Sequence, residues 1–560
     1  MPDSHDPELL RRIPLAAQTV LLVAPATGDL AAAYRRANPR ARLVALISAD
    51  ADLPTLKPHF DSVLAGAVDR DAMPLDELTG RIDCIVYDGS LERMHDPLAV
   101  LRRHALLLAP DGMMLIKAAN ASHWRVAARA LLNDIDSEDE ALETPPPLLF
   151  TLDRLRTALL GLGLWPCDVT LDESDDGEAR AFVDAMAPSL SGLGVDPEDY
   201  AGRAIPAHYI WRVRRSAGER LVVSGSMLEP VGGVSHVRVV HPLAAVGSDP
   251  LARVAVIEQI DGAPAPDDTP RIFVLHRPAL TRQQGPAILR ALRASGYLIV
   301  TEFDDHPDFF HMMRHGGELS FHGVHAVQTS TPILANVLRR YNPEVAIFPN
   351  AMATLPPVQN YGNPDQMTLF FGALNRESCW QPLMEVINTV ARMAGPRLKF
   401  QIVHDRMFFD ALDTPHKSFT PTCDYETYLH LLGSSEICFM PLSDTTFNRA
   451  KSDLKFIECG ACRVAAVAST VVYGDSVEHG RTGMLFRDPR QLYDVLLRLL
   501  AAPELARAMG DSARHYVETE RMLAYQVAPR IAWYRSLWQR RAELTAALDA
   551  RMAAAMSAAA

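Results

Sequence analysis

Cysteine is sparse in this chain: seven in 560 residues, too scattered for a disulfide framework, as suits a reducing cytosol. Long apolar runs are missing too, and none approaches the roughly 20 residues needed to span a bilayer. The opening residues, MPDSHDPELLRR, are polar and lack the apolar core of a signal peptide. The expected location is the cytoplasm, with at most a peripheral hold on a membrane. Positive charge is in deficit, 55 Lys and Arg against 68 Asp and Glu for a net charge of −13, which argues against a general nucleic-acid binder. What is present, 48% hydrophobic and 22% charged residues, is ordinary for globular protein. At this length one core is excluded, and two to four domains are expected.

Residues 1–216 read as a first domain. Val20–Gly28 is an apolar strand running into a small-residue turn, followed by a helix over Asp29–Ala37 and a strand over Arg42–Ile47. Ile82–Tyr87 (strand), Asp96–Leu108 (helix), Pro110-Asp-Gly112 (turn) and Met113–Lys117 (strand) continue the alternation. Such alternation predicts a parallel, doubly wound sheet with its ligand site at the strand ends, near Ala24–Gly28. The acidic run Asp172–Glu178 reads as a solvated turn, and Ala207–Arg215 as a closing strand.

Over residues 15–215 the chain resembles class I S-adenosylmethionine-dependent methyltransferases, on Thr27-Gly28, Leu91-Glu92, Asp96-Pro97, Leu108–Gly112, Asn120 and Phe150-Thr151. The departures fall where the cofactor would sit. Leu22, Ala24 and Ala26 replace all but Gly28 of the acidic, glycine-rich first loop, and Ile47 replaces the acidic residue that would hold ribose hydroxyls. An apolar side chain cannot accept those hydrogen bonds. The expectation is a methyltransferase-like fold that has lost S-adenosylmethionine; were the cofactor retained, Gly28 and Asp88 would line its site. Asp88 and Glu92, the polar residues near that pocket, are expected in a solvated loop.

Residues 217–348 alternate again. A strand over Arg220–Ser224 leads through Glu229-Pro-Val-Gly-Gly-Val234 to a helical stretch, His236–Val246. The strands Arg271–Leu275 and Tyr297–Thr301 follow, with a helix over Pro286–Ser295 between them. Gly232-Gly233 lets backbone approach a phosphate or sugar closely, although a plain turn explains the pair equally well. Glu302-Phe-Asp-Asp-His306 ends a strand where side chains project into a cleft. Asp304-Asp305 suit a site role or capping. His306, His311, His315, His322 and His325 lack metal-ligand spacing, so no metal is expected, and His306 is best placed for an acceptor cleft. A short strand over Ala326–Thr331 and a capped helix over Pro332–Tyr341 close the segment, and Glu344–Phe348 leads on to Pro349-Asn350.

In residues 349–560, Met367–Phe371 leads into Gly372-Ala-Leu-Asn-Arg376 and a long helix over Trp380–Met393. Lys399–His404 and Ile437–Leu442 read as strands, and Tyr425–Gly433 as a helix. Lys451–Phe486 reads as a helix, a tight turn, a small apolar strand (Val464–Ala468) and a Gly-punctuated loop. Ser452 is expected to cap the helix, with Lys455 and Glu458 sharing one face. Such a helix N-terminus beside Lys451 and Lys455 suits a diphosphate, and Glu458 suits ribose hydroxyls. The CxxC spacing of Cys459 and Cys462 falls in a helix-to-strand turn, where small residues serve packing. Gln491–Leu500, Pro503–Met509 and Ser512–Val517 read as helices, and Arg521–Leu548 as a long terminal one.

From the Gly-Gly-Val loop through Pro349-Asn350, Gly372–Arg376, Lys455, Glu458, Gly480-x-x-Gly483 and Asp488-Pro489, residues 217–560 resemble GT-B glycosyltransferases of family 4. The resemblance implies three Rossmann-like α/β domains in all: the methyltransferase-like one, an acceptor-side half (217–348) and a donor half (349–560) whose last helix crosses back. It further implies a UDP- or GDP-sugar donor, a glycan or lipid-linked glycan acceptor, retention of configuration, no required cofactor or metal, and bacterial surface glycan synthesis at the inner membrane. Taken with the residues' own positions, it points to Lys451, Lys455, Glu458 and His306 for the chemistry, and to Arg376, Gly372, Ser452, Gly233 and Gly480 for the nucleotide-sugar, Arg376 being the only cation in its turn. The family's paired glutamates lie eight residues apart; Glu458 is present, but Ala450 stands in place of its partner, and Ala373 in place of a phosphate-binding Arg. Two other readings stay open: a bifunctional glycosyltransferase and methyltransferase, and a non-catalytic scaffold with two degenerate modules.

Overall fold

The computed structural model describes residues 5–49, 51–66, 68, 75–132, 150–171, 177–227, 235–257, 267–310, 318–358 and 365–557. Gly233, His311, His315 and most of the acidic run 172–178 lie outside them. The chain divides into two compact units, one of residues 1–35, 40–219 and 247–251, the other of residues 36–39, 220–246 and 252–560. The class is α/β with three doubly wound sheets, as expected.

The first unit holds a seven-stranded sheet in the order β3-β2-β1-β4-β5-β7-β6. Its strands are β1 (Thr19–Val23), β2 (Arg42–Ile47), β3 (Ser62–Ala65), β4 (Ile82–Asp88), β5 (Leu108–Ala119), β6 (Trp165–Leu171) and β7 (His208–Arg214). The first five run parallel, and β7 closes antiparallel between β5 and β6. Pro110-Asp-Gly112, expected as a turn, is a bulge within β5: Ile82 pairs with Leu108 and Cys84 with Met113, and a Cβ on Gly112 would come within 2.6 Å of the Ile82 carbonyl.

The second unit carries two six-stranded, wholly parallel sheets. One comprises β8 (Leu221–Ser226), β9 (Ala252–Val256), β10 (Arg271–His276), β11 (Leu298–Glu302), β12 (Ala326–Thr329) and β13 (Val345–Ile347). Its order, β13-β12-β11-β10-β8-β9, reverses direction between β10 and β8. The other comprises β14 (Met367–Gly372), β15 (Leu398–Val403), β16 (Lys417–Thr420), β17 (Ile437–Met440), β18 (Ala465–Ser469) and β19 (Gly483–Phe486). Its order, β16-β15-β14-β17-β18-β19, reverses between β14 and β17. Crevices open at the carboxyl ends of strands where the order reverses.

Helix boundaries depart from expectation where single residues intervene. Pro382, which has no N–H to donate, splits the helix expected over 380–393 into Glu377–Trp380, a 3-10 turn and Met384–Ala394. The terminal helix is two, Val527–Gln539 and Arg541–Ser557. Tyr534, Leu537 and Leu544 from this pair share one core with Leu221, Val223 and Ile272 of the β8–β13 sheet. The helices expected at 503–509 and 512–517 are one, Pro503–Glu520, running through Gly510.

That long helix explains the Cys-Gly-Ala-Cys sequence. It lies against the helix Leu454–Ala461 so closely that a Cβ on Gly460 would sit 2.9 Å from the Ala513 carbonyl, and Gly510 is packed on the Arg463 carbonyl. Cys459 and Cys462 are buried, free thiols, and Cys462 Sγ reaches the Leu429 carbonyl at 3.5 Å. Gly460→Val overpacks this crossing and is expected to lower stability by about 1–3 kcal/mol, measured by urea unfolding.

Candidate functional site

In the second unit a cavity of about 360 Å³ opens between the carboxyl ends of its two sheets. The β14–β17 reversal supplies Gly372–Leu374 and Met440–Leu442; the other sheet supplies Arg277 after β10 and Asp304 and Asp305 after β11. The helix Leu454–Ala461 presents Lys455 and Glu458 to it, with Lys451 and Ser452 just ahead. Lys451, Ser452, Lys455, Glu458, Arg376 and Gly372 thus come together on one wall.

Each is held specifically. Lys455 Nζ donates to the Gly372 carbonyl at 2.5 Å and to Tyr428 Oη at 3.3 Å. Glu458 is 3% exposed and accepts from Tyr425 Oη at 3.0 Å. Burial pushes its carboxyl above the usual range, with Lys455 and the two tyrosines pulling the other way. Burial, then Glu458, raises the Tyr425 phenol, keeping it the donor of that bond. Desolvation lowers the Lys451 ammonium, whose Nζ lies 3.9 Å from Asp305 Oδ1 and 4.1 Å from the centre of the Phe447 ring. Arg376 Nη1 donates to the Asn375 carbonyl at 3.2 Å.

Ser452 does not cap the helix. Asp453 takes the cap position without a side-chain cap bond, because its carboxylate is engaged by Arg521 at 2.6 and 2.8 Å and by Ser476 at 2.6 Å. Ser452 Oγ instead accepts from Asn350 Nδ2 at 2.7 Å. His306 lies outside the lining of the cleft. Its ring is 4% exposed, accepts from the Asp308 N–H at 3.3 Å, and lines a separate groove with Phe309, Ile333 and Arg449. Gly480 occupies an exposed turn at φ +79° and is not part of the cleft wall. Among the described residues no three His, Cys, Asp or Glu side chains converge to hold a metal ion.

Several lining residues escaped the sequence reading. Arg238, in the π-helical turn His236–Val240, is 3% exposed and donates to Glu302 Oε1 at 2.8 and 2.9 Å, to the Phe348 carbonyl at 2.8 Å and to Asn350 Oδ1 at 2.8 Å. Arg277, at φ +45°, holds Asp304 at 2.6 Å. Tyr425, Tyr428 and His404 stack behind Glu458 and Lys455, with interplanar angles of 10° and 8°. Position was the available signal: Arg277 and His404 directly follow strands, and Tyr425 and Tyr428 stand three apart on one helix.

The first unit has its own cavity at the reversal between β1 and β4, lined among others by Ala24, Ala26, Ile47, Asp88 and Arg93. Asp88 reaches it, about 3.6 Å from Lys117; Gly28 is not in the lining, and a Cβ there would strike the His59 ring. Glu92 is not solvated as expected. It is 4% exposed because the turn Leu91–Arg93 tucks its carboxylate under β5, where it accepts from the Ala119 N–H. Ile47 on this wall offers no acceptor to ribose hydroxyls, while Ser48, Asp52 and Asp88 line the same cavity.

No protein-family model matches the chain, and no curated protein does. Among solved structures it is similar to a TarM variant from S. aureus in complex with Fondaparinux, alpha-GlcNAc-glycerol and UDP, at 13% identity and a TM-score of 0.37 over 48% of this chain and 56% of that one. The chain therefore spans little more than half the length of that protein. It is similar to Anabaena Alr3699/HepE in complex with UDP-glucose at 11% identity and a TM-score of 0.41, covering 56% of this chain and 100% of that one. It is also similar to a complex of the Haloferax volcanii Trm112 methyltransferase activator and a methyltransferase, at 15% identity and a TM-score of 0.27 over 38% of this chain and 89% of that one. Similarity at this level fixes neither substrate nor chemistry.

Two outcomes follow from the buried pairs. Arg238→Ala leaves Glu302 buried without its cation and should cost about 3–5 kcal/mol in denaturant unfolding. Burial opposes the Asp453 charge, but the Arg521 hydrogen bonds win, and its carboxyl lies below the ordinary 3.8. The stability this adds is present above pH 3.8 and is lost as pH falls through the folded-state value. Asp453→Asn should flatten that acid limb of stability against pH.

Proposed function

We propose that the second unit is a GT-B glycosyltransferase resembling family 4, moving a sugar from a UDP- or GDP-sugar to an acceptor hydroxyl without a metal for the diphosphate. The observation that carries this reading is the convergence of Lys455, Arg376, Lys451 and Glu458 on one wall of a cleft between two parallel sheets. Cations beside a helix N-terminus suit a diphosphate, whose departing charge is the main electrostatic demand of the reaction. Arg supports this especially, since its planar fork meets two phosphate oxygens at once. Glu458, fixed by Tyr425, suits the ribose hydroxyls.

In this reading residues 217–348 form the acceptor-side half and 349–560 the donor half with its crossing helix, while residues 1–216 are a methyltransferase-like domain without S-adenosylmethionine. The acceptor is a glycan or lipid-linked glycan of the bacterial surface, met in the cytoplasm at the inner membrane. No described helix is long and apolar enough to cross a membrane. Retention of configuration, which the family resemblance implies, would have to proceed without a carboxylate at Ala450.

Calorimetry with UDP and GDP tests the reading. One of them should bind, undiminished by EDTA, and binding of neither refutes it. Lys455→Ala and Glu458→Ala should each weaken that affinity about 10- to 100-fold, the range of a lost charge-assisted hydrogen bond.

A further inference from the structure

We propose that His404 selects the nucleobase of the donor, so that the cleft takes a uridine diphosphate sugar in preference to a guanosine one; the inference rests on the glycosyltransferase reading above. In that reading Arg376 and Lys455 meet the diphosphate and Glu458 meets the ribose. Passing outward along the sheet from β14, the cleft lining changes from Arg376 to His404 after β15, then to Thr422 and Cys423 after β16. Tyr425, which fixes Glu458, follows two residues later, so this end of the cleft adjoins the ribose position. It is the end left for the base.

His404 is held there against strain. Its φ is +72°, and the Asp405 N–H donates across it to the Val403 carbonyl at 3.0 Å. That is a γ-turn of the rare, positive-φ kind. Both flanks hold it: the His404 N–H donates to the Thr420 carbonyl at 3.1 Å, and the Asp405 carboxylate accepts from Trp380 Nε1 at 3.0 Å and from the Phe408 N–H at 2.8 Å. Strain of this kind persists where the surroundings over-determine it, and it gathers at ligand sites.

The ring is placed as firmly as the backbone. It lies within 8° of the plane of Tyr428, with its Nδ1 buried and without a hydrogen-bond partner. Burial and then the Lys455 charge hold its pKa below the ordinary imidazole value, so the ring is neutral and carries one N–H. With no acceptor beside Nδ1, the proton belongs on Nε2. The ring then has one donor to offer the cleft that it lines.

The two bases ask for different partners. Uracil presents two carbonyl acceptors with a single N–H between them, which suits an imidazole N–H beside the hydroxyl of Thr422. Guanine presents a ring N–H and an amino group side by side, and reading that pair calls for a carboxylate. No carboxylate among the described residues serves this end. Asp424, next to Cys423, is committed to capping the helix Tyr425–Gly433, accepting from the Thr427 N–H at 2.7 Å and its hydroxyl at 2.9 Å. Asp304 and Asp305 stand on the other sheet, after β11. A base that leaves buried polar groups unpaired is rejected by that cost.

Calorimetric titration of the full-length protein with UDP and with GDP tests this. UDP is expected to bind about 10²-fold more tightly than GDP. His404→Gly removes the ring at a φ that glycine adopts freely, and should weaken UDP binding about 10-fold while GDP binding stays unchanged. GDP bound as tightly as UDP, or more tightly, overturns the proposal. So does a His404→Gly protein in which UDP affinity is unaltered, or in which both affinities fall by the same factor. Wild-type protein that binds neither nucleotide brings down the glycosyltransferase reading itself, and the selection of the base with it.

Discussion

Asn350 is where the constraints of the second unit meet. Its side-chain oxygen accepts from Arg238, its amide donates to Ser452, and its carbonyl accepts from Arg521 at 3.1 Å. Arg521 in turn grips Asp453 through two nitrogens, and Arg238 grips Glu302. One short segment is thereby tied to β11, to the π-helical turn and to the start of the helix that carries Lys455 and Glu458. A helix of eight residues is too short to persist by itself in water. Here it is fixed at one end by this network and along its flank by the close crossing at Gly460. Lys451, Lys455 and Glu458 are thus placed by a network that runs from cleft-lining Asn350 and Arg238 back to Arg521 and the Gly460 crossing behind them.

Central strands were legible in the sequence because burial on both faces leaves a continuous apolar run: β1, β2, β10, β14 and β18 lie almost wholly inside. The strands that escaped, β3, β6, β9, β13, β16 and β19, all sit at sheet edges, where half-exposed side chains or, in β19, an opening glycine blur the pattern. The site divides along a similar line. Lys455 and Glu458 stood out through their spacing on one helix, whereas Arg238 lies in an apolar run and pairs with a residue 64 positions away. No local pattern announces such a pair. The misplacement of His306 has a local cause: the turn Pro307–Phe309 brings the Asp308 N–H to its ring nitrogen, which turns the imidazole into a cap.

The two units share one design and differ in what lines it. In both, a cavity opens where strand order reverses, at β1 and β4 in the first and at β14 and β17 in the second. Topology alone supplies such a crevice; chemistry has to be added by side chains. The first crevice is lined by Ala24, Ala26 and Ile47 along with Asp52, Asp88 and Arg93, while the second gathers Arg376, Lys451, Lys455 and Glu458.

The Lys455 ammonium shows how this second crevice is prepared. Lysine offers three N–H donors and no acceptor. Two are spent on the Gly372 carbonyl and Tyr428 Oη, which aim the side chain from the helix toward the end of β14. The third is left for the cavity that Lys455 lines. An anion can therefore be met without breaking either positioning bond, so little reorganisation opposes the encounter. Glu458 is prepared in the complementary sense. The Tyr425 phenol satisfies part of its carboxylate, and the remaining acceptor capacity lies one helical turn from the cation, within reach of neighbouring parts of one ligand.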